Sequence, residues 1–151
     1  MSGMFQMLIV EDSEDDALLA VQELRRAGFD PHFERVETAE TLRAALKAKT
    51  WALVVADYSL PHFSGLDALK MVRELRGDLP VIIVSGAIGE DVAVDAMKAG
   101  ANDYVMKDKL PRILAAFTAL LLFLPPSATL GAETALKKGD KGREVANLML
   151  R

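Results

Sequence analysis

Four consecutive residues, Val81-Ile82-Ile83-Val84, are all β-branched and carry no polar position among them. A strand with one wet face alternates polar and apolar side chains, so a run without alternation is covered on both faces. Met7–Val10 and the first four residues of Leu53–Asp57 share the property. Each run is too short for a helix. Strands of this kind belong to a parallel sheet enclosed by two helical layers.

Between these runs the apolar period changes to that of a helix. After Met7–Val10, Ser13 is placed to cap a helix whose first turn holds Glu14, Asp15 and Asp16, acids that the helix dipole favours there. Ala17, Val21 and Leu24 face inward, and Gly28 stops the helix. His32–Val36 reads as a weaker strand, placed at an edge by Pro31. Thr38 to Ala48 is a helix with Leu42, Ala45 and Leu46 inward. A loop containing Pro61 and Gly65 follows Leu53–Asp57 and leads into a helix from about Leu66 to Arg76. Val81–Val84 is followed by a loop, then by a helix over Glu90–Ala99 that Gly100 ends. Asp103–Met106 is the fifth strand, and Pro111 opens the last helix. Strand and helix alternate five times. With right-handed crossovers the economical fold is α/β and flavodoxin-like, a doubly wound five-stranded parallel sheet of order 2-1-3-4-5.

Composition narrows the function classes. Of 151 residues, 51% are apolar and 26% charged, a balance that supports one domain with a real core. The net charge of −4 argues against a nucleic-acid partner. The chain has no cysteine, which removes disulfides and thiolate metal sites. The first residues lack the basic leader of a signal peptide, and a cytoplasmic location is expected.

In this fold, sites lie outside the carboxyl ends of the strands. Glu11 and Asp12 follow strand one, Asp57 ends strand three, Ser85 ends strand four, and Lys107 follows strand five. Three crowded carboxylates repel one another, and a hard divalent cation relieves that cost. Carboxylate oxygens suit Mg²⁺, which shares its ligands readily with a phosphate. A hydroxyl at Ser85 and an ammonium at Lys107 add partners for phosphoryl oxygens. The set describes a carboxylate nucleophile for phosphoryl transfer.

The stretches L8-I9-V10-E11-D12, V54-V55-A56-D57-Y58-S59-L60-P61 with Gly65 behind it, V81-I82-I83-V84-S85-G86 and D103-Y104-V105-M106-K107 resemble the receiver domains of bacterial two-component response regulators. The resemblance covers roughly residues 5 to 112. It implies that Asp57 is the phosphoacceptor, taking a phosphoryl group from a sensor histidine kinase or phosphotransfer protein and later losing it by autodephosphorylation. It implies that Glu11, Asp12, Asp57 and the backbone carbonyl of Ser59 hold Mg²⁺. Ser85 would hydrogen-bond the phosphoryl group, Lys107 would pair with it, and Tyr104 matches the aromatic switch that follows Ser85. Signalling would run through phosphorylation-dependent protein contact, with a homodimer expected through the face of helix four, strand five and helix five. His32 and His62 have no metal-ligand spacing, Trp51 is expected at a helix–strand junction, and Met97 and Met106 are expected in the core.

Two features depart from the family. Proline usually follows the lysine, whereas Asp108 does here, so a trans Lys107–Asp108 bond and a reshaped loop are expected. Residues 113–124 are apolar on every side, so a receiver unit over 1–124 would expose a sticky outer face on its last helix, with 125–151 as a tail. Twelve residues are fewer than the about 20 that span a bilayer, which argues against membrane association. Residues 135–148 faintly resemble the start of a peptidoglycan-binding repeat, and a junction of unrelated coding sequences near residue 112 would account for both features. The rival readings are a degenerate receiver serving as a scaffold, a dehalogenase-type phosphatase and a flavin-binding relative. The phosphatase would need a second acid at Ser59. The flavin binder would need a phosphate-cradling loop where Glu11 and Asp12 would repel a phosphate.

Overall fold

The computed structural model describes residues 4–86 and 90–123. The expected boundary at residue 124, the segment 125–151 and most of the loop after Gly86 lie outside the described residues. Five parallel strands form one sheet: β1 (Met4–Val10), β2 (Asp30–Val36), β3 (Leu53–Asp57), β4 (Val81–Ser85) and β5 (Asp103–Met106), in the order β2-β1-β3-β4-β5. This is the expected flavodoxin-like arrangement. The register sets Val10 beside Ala56, Asp57 beside Val84 and Ser85 beside Met106, so the carboxyl ends of four strands finish nearly level.

The helices are α1 (Glu14–Arg26), α2 (Ala39–Ala48), α3 (Gly65–Leu75), α4 (Glu90–Lys98) and α5 (Arg112–Phe123). Side chains alternate across each strand, so the sheet has two cores. On one face Met7, Ile9, Val55 and Ile82 meet Ala17, Val21 and Leu24 of α1 and Ile113 and Phe117 of α5. On the other Leu8, Val54, Val81 and Ile83 meet Leu42 and Leu46 of α2, Leu69 and Val72 of α3 and Ala96 of α4. The unbroken apolar runs are thus explained by burial on both sides. β1 and β2 begin earlier than their apolar runs, at Met4 and Asp30, because pairing with each other carries the ladder past the covered segment. Pro31 sits on β2, at the edge of the sheet, where its missing N–H is tolerated.

The last helix is held by a three-ring cluster. The Phe117 ring stacks on Phe5 at 4.6 Å and meets Phe29 edge-on at 5.2 Å. Burying such a ring contributes about 2–3 kcal/mol. Leu114 and Leu120 pack partly against the same core, and the positions left facing water up to residue 120 include Arg112, Ala115 and Ala119. Between residues 113 and 120 the exposed positions carry small side chains, and the rest of the expected sticky face lies outside the residues whose side chains are described. Thr118 is buried, and its hydroxyl donates to the Leu114 carbonyl at 2.7 Å. Met97 also departs from expectation. It lies 48% exposed on α4, whose inward side at this turn is taken by Ala96, and Met106 is only half-buried. Trp51 does sit at the α2–β3 junction, where its indole donates to the Ala45 carbonyl at 2.9 Å. Among the described residues, no helix is long and apolar enough to cross a membrane.

Candidate functional site

Glu11, Asp12, Asp57, Ser85 and Lys107 gather at the carboxyl edge of the sheet. β1 delivers Glu11, whose backbone N–H still bonds the Val36 carbonyl at 3.0 Å and so prolongs the β1–β2 ladder by one step. Glu11 is buried and Asp12 exposed. β3 delivers Asp57, only 6% exposed. One ligand oxygen from each of Glu11, Asp12 and Asp57 lies within 4.8 Å of the others. Both Asp57 oxygens are engaged: Oδ1 accepts the Ser59 N–H at 3.2 Å, and Oδ2 accepts from Lys107 Nζ at 3.1 Å.

Lys107 follows β5 in a single 3₁₀ turn, Lys107–Lys109, and the Lys107–Asp108 bond is trans as expected without a proline there. Its ammonium bridges three carboxylates: Glu11 Oε1 at 3.1 Å, Asp57 Oδ2 at 3.1 Å and Asp16 Oδ2 at 2.9 Å. Burial works against the charged amine, but the hydrogen bonds to Asp16, Asp57 and Glu11 outweigh it and hold the lysine protonated well above its ordinary range. Glu11 shifts upward for a different reason. Burial is the largest cause, helped by the neighbouring Asp12 and the Asp57 charge. Against the pull of the Ser13 N–H and Lys107, its pKa rises from 4.5 to about 7. One of the three crowded acids thus holds a proton readily near neutrality.

Ser85 is fully buried at the end of β4. Tyr104 is half-buried on β5, and its hydroxyl donates to Met106 Sδ two residues along the same strand face, at 3.4 Å. Ser59 is exposed and pairs with Ser64 in an isolated bridge that closes the loop after Asp57. Gly65 approaches that loop so closely that a β-carbon on it would lie 2.5 Å from the Asp57 carbonyl oxygen. A cavity of about 270 Å³ opens beside the acids, with Ala17, Ala20 and Leu110 on its apolar wall and Asp57 and Lys107 at its polar end. His32 and His62 lie exposed, and neither belongs to the group of acids.

Two residues at this edge were not singled out from the sequence. Asp16 reads as part of an acidic helix start, yet its carboxylate makes the shortest of the three lysine contacts. Arg35, near the end of β2, donates to the carbonyls of Glu11 at 3.1 Å and Asp12 at 3.4 Å, tying down the turn that carries both acids. Arg35 precedes the last residue of β2, so reading the strand ends and the residues past them does not reach it. The local pattern separates Asp16 from Asp15 only as the N3 partner of a capping box with Ser13, which points to a helix start and not to the site.

A family model described as the response regulator receiver domain matches residues 7–118. The chemotaxis protein CheY1 of Helicobacter pylori is 30% identical over 114 residues, which make up 72% of this chain and 90% of that one. The transcriptional regulatory protein PrrA of Mycobacterium tuberculosis is 32% identical over 130 residues, 85% of this chain but 55% of PrrA, so the chain spans about half the length of that relative. Among solved structures, a CheY-like response regulator receiver domain protein from Methanospirillum hungatei superimposes with a TM-score of 0.65 at 28% identity. The match covers 79% of this chain and 94% of that one.

Proposed function

The chain belongs to the response regulator receiver domain family, and on that premise we propose that it accepts a phosphoryl group on Asp57 from a phosphohistidine of a sensor histidine kinase or phosphotransfer protein. The observation that carries the reading is the convergence on Asp57: a buried carboxylate flanked by two further acids and by one ammonium that reaches it directly. A buried carboxylate with no task would be costly to leave among like charges.

An oxygen of Asp57 forms the new P–O bond as the P–N bond of the phosphohistidine breaks, and the electron pair returns to the imidazole. Lys107 pairs with the phosphoryl oxygens, and Ser85 hydrogen-bonds another of them. Both stabilise negative charge on the transferred group. Glu11, Asp12, Asp57 and the Ser59 carbonyl would hold Mg²⁺. The donor set fits a hard cation, since three carboxylate oxygens lie within 4.8 Å of one another and a cationic group, Lys107, is already drawn against two of those acids. When bound, Mg²⁺ supplies positive charge for the phosphoryl oxygens. Tyr104 then follows Ser85 as the switch, and hydrolysis of the aspartyl phosphate resets the protein.

The output is contact with another protein in the cytoplasm rather than with nucleic acid. Self-association through α4, β5 and α5 fits the exposure of Val94 and Met97 on α4, at 47% and 48%. Light scattering with and without beryllofluoride tests it, and a strict monomer in both states refutes it.

The phosphoacceptor is tested directly. Mg²⁺ and a small acyl-phosphate donor should give an acid-labile phosphoryl adduct on the wild type and none on Asp57→Asn. A wild type that stays unmodified, or an adduct that survives in Asp57→Asn, overturns the assignment.

A further inference from the structure

The same four-residue pattern opens two helices of this chain and is used differently in each. At α3, Ser64 and Asp67 close a reciprocal capping box: the Asp67 N–H donates to Ser64 Oγ at 3.1 Å, and the Ser64 N–H donates to Asp67 Oδ2 at 3.1 Å. α2 closes the same box with Thr38 and Thr41. At α1, Ser13 and Asp16 carry the pattern of Ser64 and Asp67, and the first half forms, with the Asp16 N–H on Ser13 Oγ at 3.2 Å. The second half does not. Asp16 turns its carboxylate to Lys107 at 2.9 Å, and the Ser13 N–H is taken instead by Glu11 Oε2 at 3.2 Å. Asp16 is also the most exposed of the three acids on the lysine, at 40% against 6% for Glu11 and 7% for Asp57, so it moves at least cost.

We propose that Asp16 is a latch for Lys107, holding the ammonium in the metal-free site and releasing it by closing the Ser13 capping box that Glu11 vacates. This rests on the phosphoacceptor reading above. Glu11 is shared between Lys107 through Oε1 and the Ser13 N–H through Oε2. Recruiting Glu11 to a cation with Asp12 and Asp57 draws it from Ser13 and leaves a helix N-terminal donor open. Drawing Lys107 to a phosphoryl oxygen leaves Asp16 without its cation. The two orphaned groups stand at the N-cap and N3 positions of one helix, and the box they then close is the one α3 already shows. The exchange keeps every donor paired in both states, and Asp16 acts as a positioning residue through Lys107.

Amide exchange at Ser13, followed by NMR, tests the latch in the metal-free protein and in protein loaded with Mg²⁺ and beryllofluoride. In the wild type, Ser13 should stay protected in both states, its partner changing from Glu11 to Asp16. In Asp16→Ala it should be protected without metal and exchange about tenfold faster once loaded, the effect of losing one hydrogen bond. Asp16→Asn keeps an acceptor without the charge and should restore protection in the loaded state. A loaded Asp16→Ala protein with Ser13 still protected overturns the latch, as does a wild type whose Ser13 exchange accelerates tenfold on loading. Resonances of Asp12 and Asp57 report the loading itself. If they do not respond to Mg²⁺, the metal reading fails and the latch with it. If they respond while Ser13 behaves alike in the wild type and Asp16→Ala, the latch alone is wrong.

Discussion

The Lys107 ammonium lies 3.1 Å from Asp57 Oδ2, a contact between residues fifty positions apart. The strand order creates it: β3 and β5 flank β4, with Asp57 level with Val84 and Met106 level with Ser85. The lysine therefore contacts two of the three acids, Glu11 and Asp57, that would hold a divalent cation.

Competition of that kind gives Lys107→Met two opposite effects. Removing a positive charge from beside the acids should tighten Mg²⁺ binding by about three- to tenfold, as expected for like charges a few ångströms apart in a partly solvated site. Losing the same charge beside the phosphoryl group should slow phosphorylation by about a hundredfold. Titration calorimetry and phosphorylation kinetics on one preparation measure both. Weaker Mg²⁺ binding in the variant would show that the lysine does not compete with the cation.

Glu11 makes the metal-free protein sensitive to pH. Its folded-state pKa of about 7 lies above the unfolded value of 4.5, so the folded state binds this proton more tightly. The stability that the proton contributes is fully present below pH 4.5 and is lost as pH rises through about 7. In chelator, the melting temperature of the wild type should fall between pH 5.5 and 8 more steeply than that of Glu11→Gln, which has no proton to lose there. The difference between the two proteins isolates the contribution of Glu11. Parallel melting profiles would remove the shift.

Much of this was legible in the sequence, for a physical reason. Val81–Val84 announces a strand covered on both faces because no other short structure buries every side chain. The acids and the lysine are found by reading the last residue of each strand and the one or two that follow it. Asp16 escaped because helix-start chemistry and site chemistry ask for the same residue type, and only the reach of Lys107, in the turn after β5, to α1 separates them. Met97 failed for the opposite reason: helical spacing shows that a face is apolar but not whether anything covers it. The trans bond after Lys107 was readable from a single residue, Asp108, because the cost of a cis bond before a non-proline is local.

Gly65 sets how closely α3 can approach the loop after Asp57. Its N–H donates to the Tyr58 carbonyl at 2.8 Å, and an added β-carbon would lie 2.5 Å from the Asp57 carbonyl oxygen and 2.8 Å from Tyr58 Cα. These are backbone atoms and cannot rotate away. Gly65→Ala should cost about 1–3 kcal/mol in denaturant unfolding, the range for forced overpacking. The residue that remains folded should bind Mg²⁺ less tightly, because relief of the clash moves Asp57. Unchanged stability would mean that the loop yields freely.

Arg73 locks the opposite end of the sheet. From α3 its guanidinium donates to the Gly100 carbonyl at 2.7 and 3.1 Å, to the Leu79 carbonyl at 2.6 Å and to Asn102 Oδ1 at 2.8 Å. Asn102 Oδ1 accepts the Val81 N–H as well, at 2.9 Å, so one planar group fixes the starts of β4 and β5 together. Gly100, at φ +104°, is needed for this turn, and a β-carbon there would press on Arg73 Nε at 3.2 Å. A lysine supplies a point charge in place of the fork, so Arg73→Lys should lose about 1–2 kcal/mol of stability. The acids lie at the other end of β3 and β4, and Mg²⁺ affinity should therefore change by less than about twofold. Measuring both separates an anchor of the sheet from a residue coupled to the site. A large loss of Mg²⁺ affinity at modest cost in stability would show that the anchor communicates along β4.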